Sequence, residues 1–156
     1  MSLFRRATAR QVDLGLTILR VVAGIIFAAH GGQKLFVYGF GGVAGAFTQM
    51  GIPMPGIAGP ATALVEFFGG LALIVGLLTR LASFGLGATM LGAIFFVHIG
   101  AGFFAPNGYE FPLALLAITT ALAFTGAGRW SIDALIAARR GETVAVQDRA
   151  SVRRAA

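Results

Sequence analysis

Residues 14–34 read LGLTILRVVAGIIFAAHGGQK. The stretch is apolar for most of its length and long enough to cross a bilayer, which takes about 20 residues. Three cationic or protonatable side chains interrupt it: Arg20, His30 and Lys34. An arginine near the centre of such a segment costs roughly 2.5–3.5 kcal/mol on insertion. A cost of that size calls for a partner or a task. The stretch therefore points to a polar site inside a membrane protein.

The rest of the chain agrees. Of its 156 residues, 57% are hydrophobic and 12% charged, and the mean hydropathy is +0.85. Soluble domains average about 45–50% apolar and about 25% charged. The class expected is an all-α integral membrane protein. The net charge of +6 does not indicate a nucleic-acid surface, because the basic residues sit between and beyond the apolar segments. No cysteine occurs, which excludes disulfides, thiol redox chemistry and cysteine-ligated metals.

Apolar segments at about 14–34, 61–79, 81–100 and 111–125 predict a bundle of four transmembrane helices. Pro60 suits the start of the second, where its missing N–H is not needed. The tight Thr79-Arg80 connection predicts an antiparallel hairpin, and Gly85, Thr89 and Ala93 are expected to line a helix contact. Residues 37–59 hold seven glycines and form one long outer loop, too apolar to be fully solvated. A short interfacial helix is expected near 42–50. Gly126-Ala127-Gly128 should end the fourth helix. Ser131 then reads as the N-cap of a short helix over 132–140, with Asp133 in its first turn, favoured by the helix dipole and paired with Arg80 or Arg129. Residues 1–136 make one transmembrane domain, and 137–156 a cytoplasmic polar tail, a frayed helix end followed by disorder.

Ten arginines fall on one side of this four-span arrangement: Arg5, Arg6, Arg10, Arg80, Arg129, Arg139, Arg140, Arg149, Arg153 and Arg154. The positive-inside rule then places both termini in the cytoplasm. The basic start and apolar run imitate a signal peptide, but the run is too long and carries Arg20, so it is expected to be retained.

Depth follows from a rise of 1.5 Å per residue. Arg20 lies about 10 Å from the inner end of its span, Glu66 about 20 Å, and His30 and His98 about 25 Å. Tyr109 and Glu110 open the fourth span from outside. So His30, Lys34, Glu66, His98, Tyr109 and Glu110 share one layer in the outer third of the membrane, drawn from all four helices. Arg20, His30 and Lys34 also fall within about 80° on one helix face, provided Gly31-Gly32 does not break the helix. Opposite charges in such a layer should pair: Glu66 with Lys34 or His30, Glu110 with the other, and Arg20 with Glu66, a carbonyl or a water.

A histidine beside a carboxylate exchanges protons near neutral pH, and a lysine or histidine donates a hydrogen bond to a ligand carbonyl. His30, Lys34, Glu66, His98 and Glu110 are the catalytic candidates. Arg20, Phe27, Phe67 and Tyr109 are the binding candidates, with Phe68, Phe95 and Phe96 as further apolar lining. A flat apolar ring with polar oxygens, a quinone, suits such a pocket. No haem, flavin or iron–sulfur motif is seen. No histidine pair has ligand spacing on one helix, so no metal is assigned. Each residue alone has a structural reading: Arg20 as an ion-pair partner, Lys34 as a snorkelling cation, the histidines as satisfied core groups, Tyr109 as an interfacial aromatic. Their convergence in one layer favours a site.

Leu19-Arg20, His30-Gly31-x-x-Lys34-Leu35, Glu66-x-x-Gly69-Gly70, Gly76-Leu77-Leu78-Thr79-Arg80, His98, Glu110 and Gly126-x-Gly128-Arg129-Trp130-Ser131-x-Asp133 follow one another in that order. In this succession residues 14–135 resemble the DoxX family of small bacterial four-helix membrane proteins. The resemblance implies a multi-pass protein of the bacterial inner membrane and a link to thiosulfate:quinone oxidoreductase. Other members are linked to oxidative or thiol stress and to quinone or catechol detoxification.

Two functions are expected from different classes. The first is a quinone-interacting oxidoreductase or a subunit of one, its electrons supplied from the outer side or by a partner protein. The second is a non-catalytic scaffold or small-solute carrier whose buried charges hold the bundle together. Four helices are few for a carrier, so that reading requires a homo-oligomer.

Overall fold

The computed structural model describes residues 7–139. The residues described are mostly helical, with no strand among them. Thr8 starts α1 (Ala9–Gly32) with a reciprocal cap: its hydroxyl accepts the Gln11 N–H at 3.3 Å, and the Gln11 side chain accepts the Thr8 N–H at 2.8 Å. This satisfies two of the donors that a helix start leaves free. The helix does not break at Gly31-Gly32. It passes into a π-wound turn, Gln33–Tyr38, and stops at Gly39, where φ is +65°.

The glycines of α1 serve packing instead. A Cβ on Gly31 would lie 2.2 Å from the Phe67 amide nitrogen, one on Gly24 2.7 Å from the Gly70 carbonyl oxygen, and one on Gly70 2.4 Å from the Ala28 nitrogen. Here α1 and α3 (Pro55–Val75) cross almost backbone to backbone, as small residues permit in membranes. The expected ladder is less tight: a Cβ on Gly85 would press on the Val65 side chain at 3.3 Å, so that side chain and not main chain would have to give.

The loop expected at 37–59 contains α2 (Gly39–Gln49), which packs on the start of α3 with Val43 buried. Pro55, not Pro60, stands in the first turn of α3. Pro60 lies inside the helix, one turn above Gly56, and its missing N–H removes a single bond there. At its far end α3 closes at Gly76, with φ +69°. No side chain fits that position, because a Cβ would lie 2.5 Å from Ser131 Cβ and 3.0 Å from Arg20 Cζ.

Helix α4 (Thr79–Gly92) starts two residues before the expected point because Asp133 caps it from a distance. The Asp133 carboxylate accepts the Leu78 N–H at 2.7 Å and the Thr79 N–H at 2.9 Å. The expected partners, Arg80 and Arg129, give way to main-chain amides, which a helix start leaves unpaired. Beyond α4 come a second π-wound turn, Ala93–His98, and a short 3-10 turn, Ile99–Ala101. Helix α5 (Glu110–Thr125) ends at Gly126, with φ +80°. The short α6 (Ile132–Arg139) is capped by Ser131, whose hydroxyl accepts the Ala134 N–H at 3.2 Å. The tail expected at 137–156 is therefore helical as far as Arg139, and the remainder lies outside the described residues.

Helix α1 packs on α3, α3 on α4, α4 on α5, and α5 back on α1. Ala23, Phe27, Leu73, Leu86, Met90, Leu115 and Leu122 fill the centre. The outside is apolar too, with Phe84 74% and Phe124 80% exposed. A surface of that kind belongs in lipid rather than water. Helices Pro55–Val75 and Thr79–Ala101 and the stretch Ala9–Gln49 are long and apolar enough to cross a membrane. Helix α5 is apolar but shorter, about 24 Å at the helical rise. Asp13 accepts the Arg129 N–H at 3.1 Å, so the start of α1 and the α5–α6 turn share one end of the bundle, the base. Lys34, His98 and the 102–109 loop lie at the other end, the mouth.

Candidate functional site

Glu66 sits in the middle of α3 with its side chain 5% exposed. A carboxylate so buried in an apolar bundle needs a cation and hydrogen bonds. Lys34 supplies both, its Nζ donating to Glu66 Oε2, while its own side chain remains 23% exposed. The tight α1–α3 crossing makes the pair possible. Gly31 rests on the Glu66-Phe67 peptide, and Lys34 follows one turn later in the π-wound segment. Such wide turns are rare and recur at functional sites. The second one, Ala93–His98, ends on His98.

His98 Nδ1 lies 2.7 Å from the Asn107 carbonyl oxygen. A carbonyl only accepts, so Nδ1 carries the proton and Nε2 of the neutral ring is left as an acceptor. His30, Lys34, Glu66 and His98 line one cavity of about 320 Å³. Ile26, Phe27, Met90, Ala93, Phe111, Pro112 and Leu115 supply its apolar wall, and Pro106 and Gly108 its loop side. Four of the five catalytic candidates and one binding candidate, Phe27, thus meet in a single pocket.

The other candidates lie elsewhere. Arg20 is buried at the base, where its guanidinium donates to the carbonyls of Leu73 (2.9 Å), Ile74 (2.5 Å) and Trp130. It closes the C-terminal end of α3, whose last carbonyls lack helical partners. Phe67 packs edge-on against Phe36 and Phe68, with ring centroids 5.4 and 5.2 Å apart. Tyr109 packs edge-on against Phe103 at 5.4 Å. The Glu110 carboxylate accepts the Ala105 N–H at 2.7 Å and pairs with no cation among the described residues. Asn107, Pro106 and Gly108 escaped the sequence reading because they act through main chain and shape, which leave no mark of residue type. Among the described residues no group of three or more His, Asp or Glu could hold a metal ion.

The order of these elements can be set against known proteins. The profile of the DoxX family matches residues 15–99, which include His30, Lys34, Glu66 and His98. A protein of Bacillus subtilis named "Putative oxidoreductase CatD" is 32% identical over 128 residues, covering 81% of this chain and 90% of that protein. The chain belongs to the DoxX family. A second profile, described as the TQO small subunit DoxD, matches residues 61–149 of this DoxX protein. The inner membrane protein YqjF of Escherichia coli is 34% identical over 125 residues, 80% of this chain and 93% of its own. A Mycobacterium tuberculosis protein described as a membrane protein is 31% identical over 132 residues, 78% of this chain and 80% of its own. No solved structure gives a significant match. With its apolar outer surface and these relatives, this DoxX protein is a multi-pass protein of the inner membrane.

Proposed function

We propose that this DoxX protein binds a quinone head group in the mouth pocket and exchanges its protons, as an oxidoreductase or a subunit of one. The observation that carries the proposal is the company of Lys34, Glu66, His30 and His98 in one cavity of about 320 Å³ with an apolar wall. That size lies at the lower end of small-molecule pockets, about 300–1,000 Å³, and suits a ring of one or two cycles. Lys34 donates a hydrogen bond to one ring oxygen. His98 Nε2 takes a proton from the hydroxyl form or, once protonated, returns it. Glu66 holds the Lys34 side chain in place through their ion pair. His30, on the same wall, serves the second oxygen. The conversion of quinone to quinol takes up two electrons and two protons, and the electrons come from a donor outside this chain. The DoxD match and the name of the Bacillus subtilis relative support this direction.

The same reading sets the protein in the membrane. Helix α5 makes a fourth crossing, the base with its arginines faces the cytoplasm, and the pocket opens toward the outer face. Residues 1–136 form the membrane domain and 137–156 a cytoplasmic tail. Of the second reading, a scaffold or small-solute carrier, the carrier has less support, because Leu73, Leu86 and Leu122 fill the bundle below the pocket.

The test is quinone extraction from purified protein. Stoichiometric quinone is expected in the wild type, with at least a tenfold loss in Glu66→Gln of unchanged assembly. Quinone-free wild-type protein from quinone-replete membranes overturns the proposal.

A further inference from the structure

The loop from Gly102 to Tyr109 closes on itself. Tyr109 N–H donates to Gly102 O at 3.0 Å, Glu110 N–H to Phe103 O at 3.0 Å, and Gly108 N–H to Phe104 O at 2.9 Å. A Cβ on Gly108 would lie 2.3 Å from the Phe104 carbonyl oxygen, so no side chain is admitted there. Across this closed loop the Glu110 carboxylate accepts the Ala105 N–H at 2.7 Å. Two residues on, the Asn107 carbonyl meets His98 Nδ1 at 2.7 Å. Pro106 and Gly108 between them face the pocket.

We propose that Glu110 is a positioning residue which, through the 102–109 loop and the Asn107 carbonyl, fixes the tautomer of His98 and turns Nε2 into the free acceptor. The chain of contacts has a direction. Glu110 fixes the Ala105 amide, and with it the path of the main chain through Asn107. The Asn107 oxygen can only accept, so it selects the Nδ1–H form and leaves the Nε2 lone pair unused. An imidazolium at His98 keeps the same Nδ1–H donor, so taking a proton at Nε2 requires no rearrangement. A second group that fixes one ring nitrogen in this way is the usual device for orienting a working histidine. The purpose assigned to Nε2 rests on the proposed function, but the tautomer itself does not.

The protein contains two histidines, so 15N-histidine spectra hold two rings and His30→Gln assigns them. At about pH 8, above the ordinary histidine range, wild-type His98 is expected to carry its proton on Nδ1. Glu110→Ala and Glu110→Asp, which cannot hold the Ala105 amide at this distance, should shift at least half of the population to Nε2–H. Glu110→Gln keeps an acceptor oxygen and should restore the wild-type spectrum. A wild-type His98 protonated on Nε2 overturns the proposal without any variant, and so does a tautomer that ignores Glu110→Asp. Quinone content measured on the same samples separates the two readings. A tautomer that follows Glu110 in protein without quinone keeps the positioning role and removes the quinone function. Bound quinone beside an indifferent tautomer does the reverse.

Discussion

Glu66 and Lys34 form the one ion pair among the described residues, and removing one partner differs in its consequences from removing both. A buried carboxylate stripped of its cation costs about 3–5 kcal/mol, whereas replacing both partners by neutral groups is often close to neutral. Lys34→Met should therefore lower the thermal midpoint in detergent markedly. Lys34→Met with Glu66→Gln should recover most of that loss, yet neither protein should retain quinone. Equal midpoints for Lys34→Met and the double variant would show that the pair is not buried together. These residues were legible because a Lys, Glu or His inside an apolar segment is rare and has to be explained. Arg20 was legible as a buried cation, but its carbonyl partners were not, since every residue has a carbonyl. The partner of Glu110 was hidden for the same reason: it is the Ala105 amide, not the expected cation.

At the scale of elements, the α1–α3 crossing decides whether Lys34 reaches Glu66. Gly31→Ala and Gly70→Ala insert a Cβ against main chain at 2.2 and 2.4 Å, which cannot yield as a flexible side chain would. Each should destabilise by about 1–3 kcal/mol or more, the range for overpacked sites, and should abolish the Lys34–Glu66 contact. Gly15→Ala is the control. Nothing lies within 4 Å of its Cβ, and replacing a mid-helix glycine should stabilise by about 0.5–1 kcal/mol. Equal behaviour of the three variants in thermal unfolding would remove the crossing from the explanation. At the base, Asp133→Ala should cost about 1–2 kcal/mol through the loss of a helix cap, read in the same unfolding experiment. The apolar segments disclosed the long helices themselves, although α1 and α3 start earlier, at Ala9 and Pro55, than the segments at 14 and 61 suggested. Their ends depended on contacts distant in sequence, such as Asp133 on Thr79, and the two π-wound turns have no composition of their own.

For the whole molecule, the proposed orientation rests on the distribution of charge. The chain has no cysteine, so a single introduced thiol reports its side of the membrane without background. Gln49 at the end of α2 and Ala138 in α6 are both exposed. An impermeant maleimide added to intact spheroplasts should label Gln49→Cys and leave Ala138→Cys unmodified, and inverted vesicles should reverse the result. Labelling of both from one side would contradict an arrangement with the pocket and base on opposite faces. The membrane class and the family pattern were plain in the sequence because hydropathy and order along the chain carry them. The packing of the helices also determines which candidates meet, and that is a property of the assembled bundle. It brought His30, Lys34, Glu66 and His98 together and set Arg20 apart.

The position of the ligand is tested most directly by photolabelling purified protein in liposomes with an azido-quinone and mapping the modified peptides. A head group in the mouth pocket predicts adducts on Phe27, Met90 and Leu115, reduced at least tenfold in Glu66→Gln. Adducts confined to outward-facing residues such as Phe84 and Phe124, unchanged by Glu66→Gln, would contradict it.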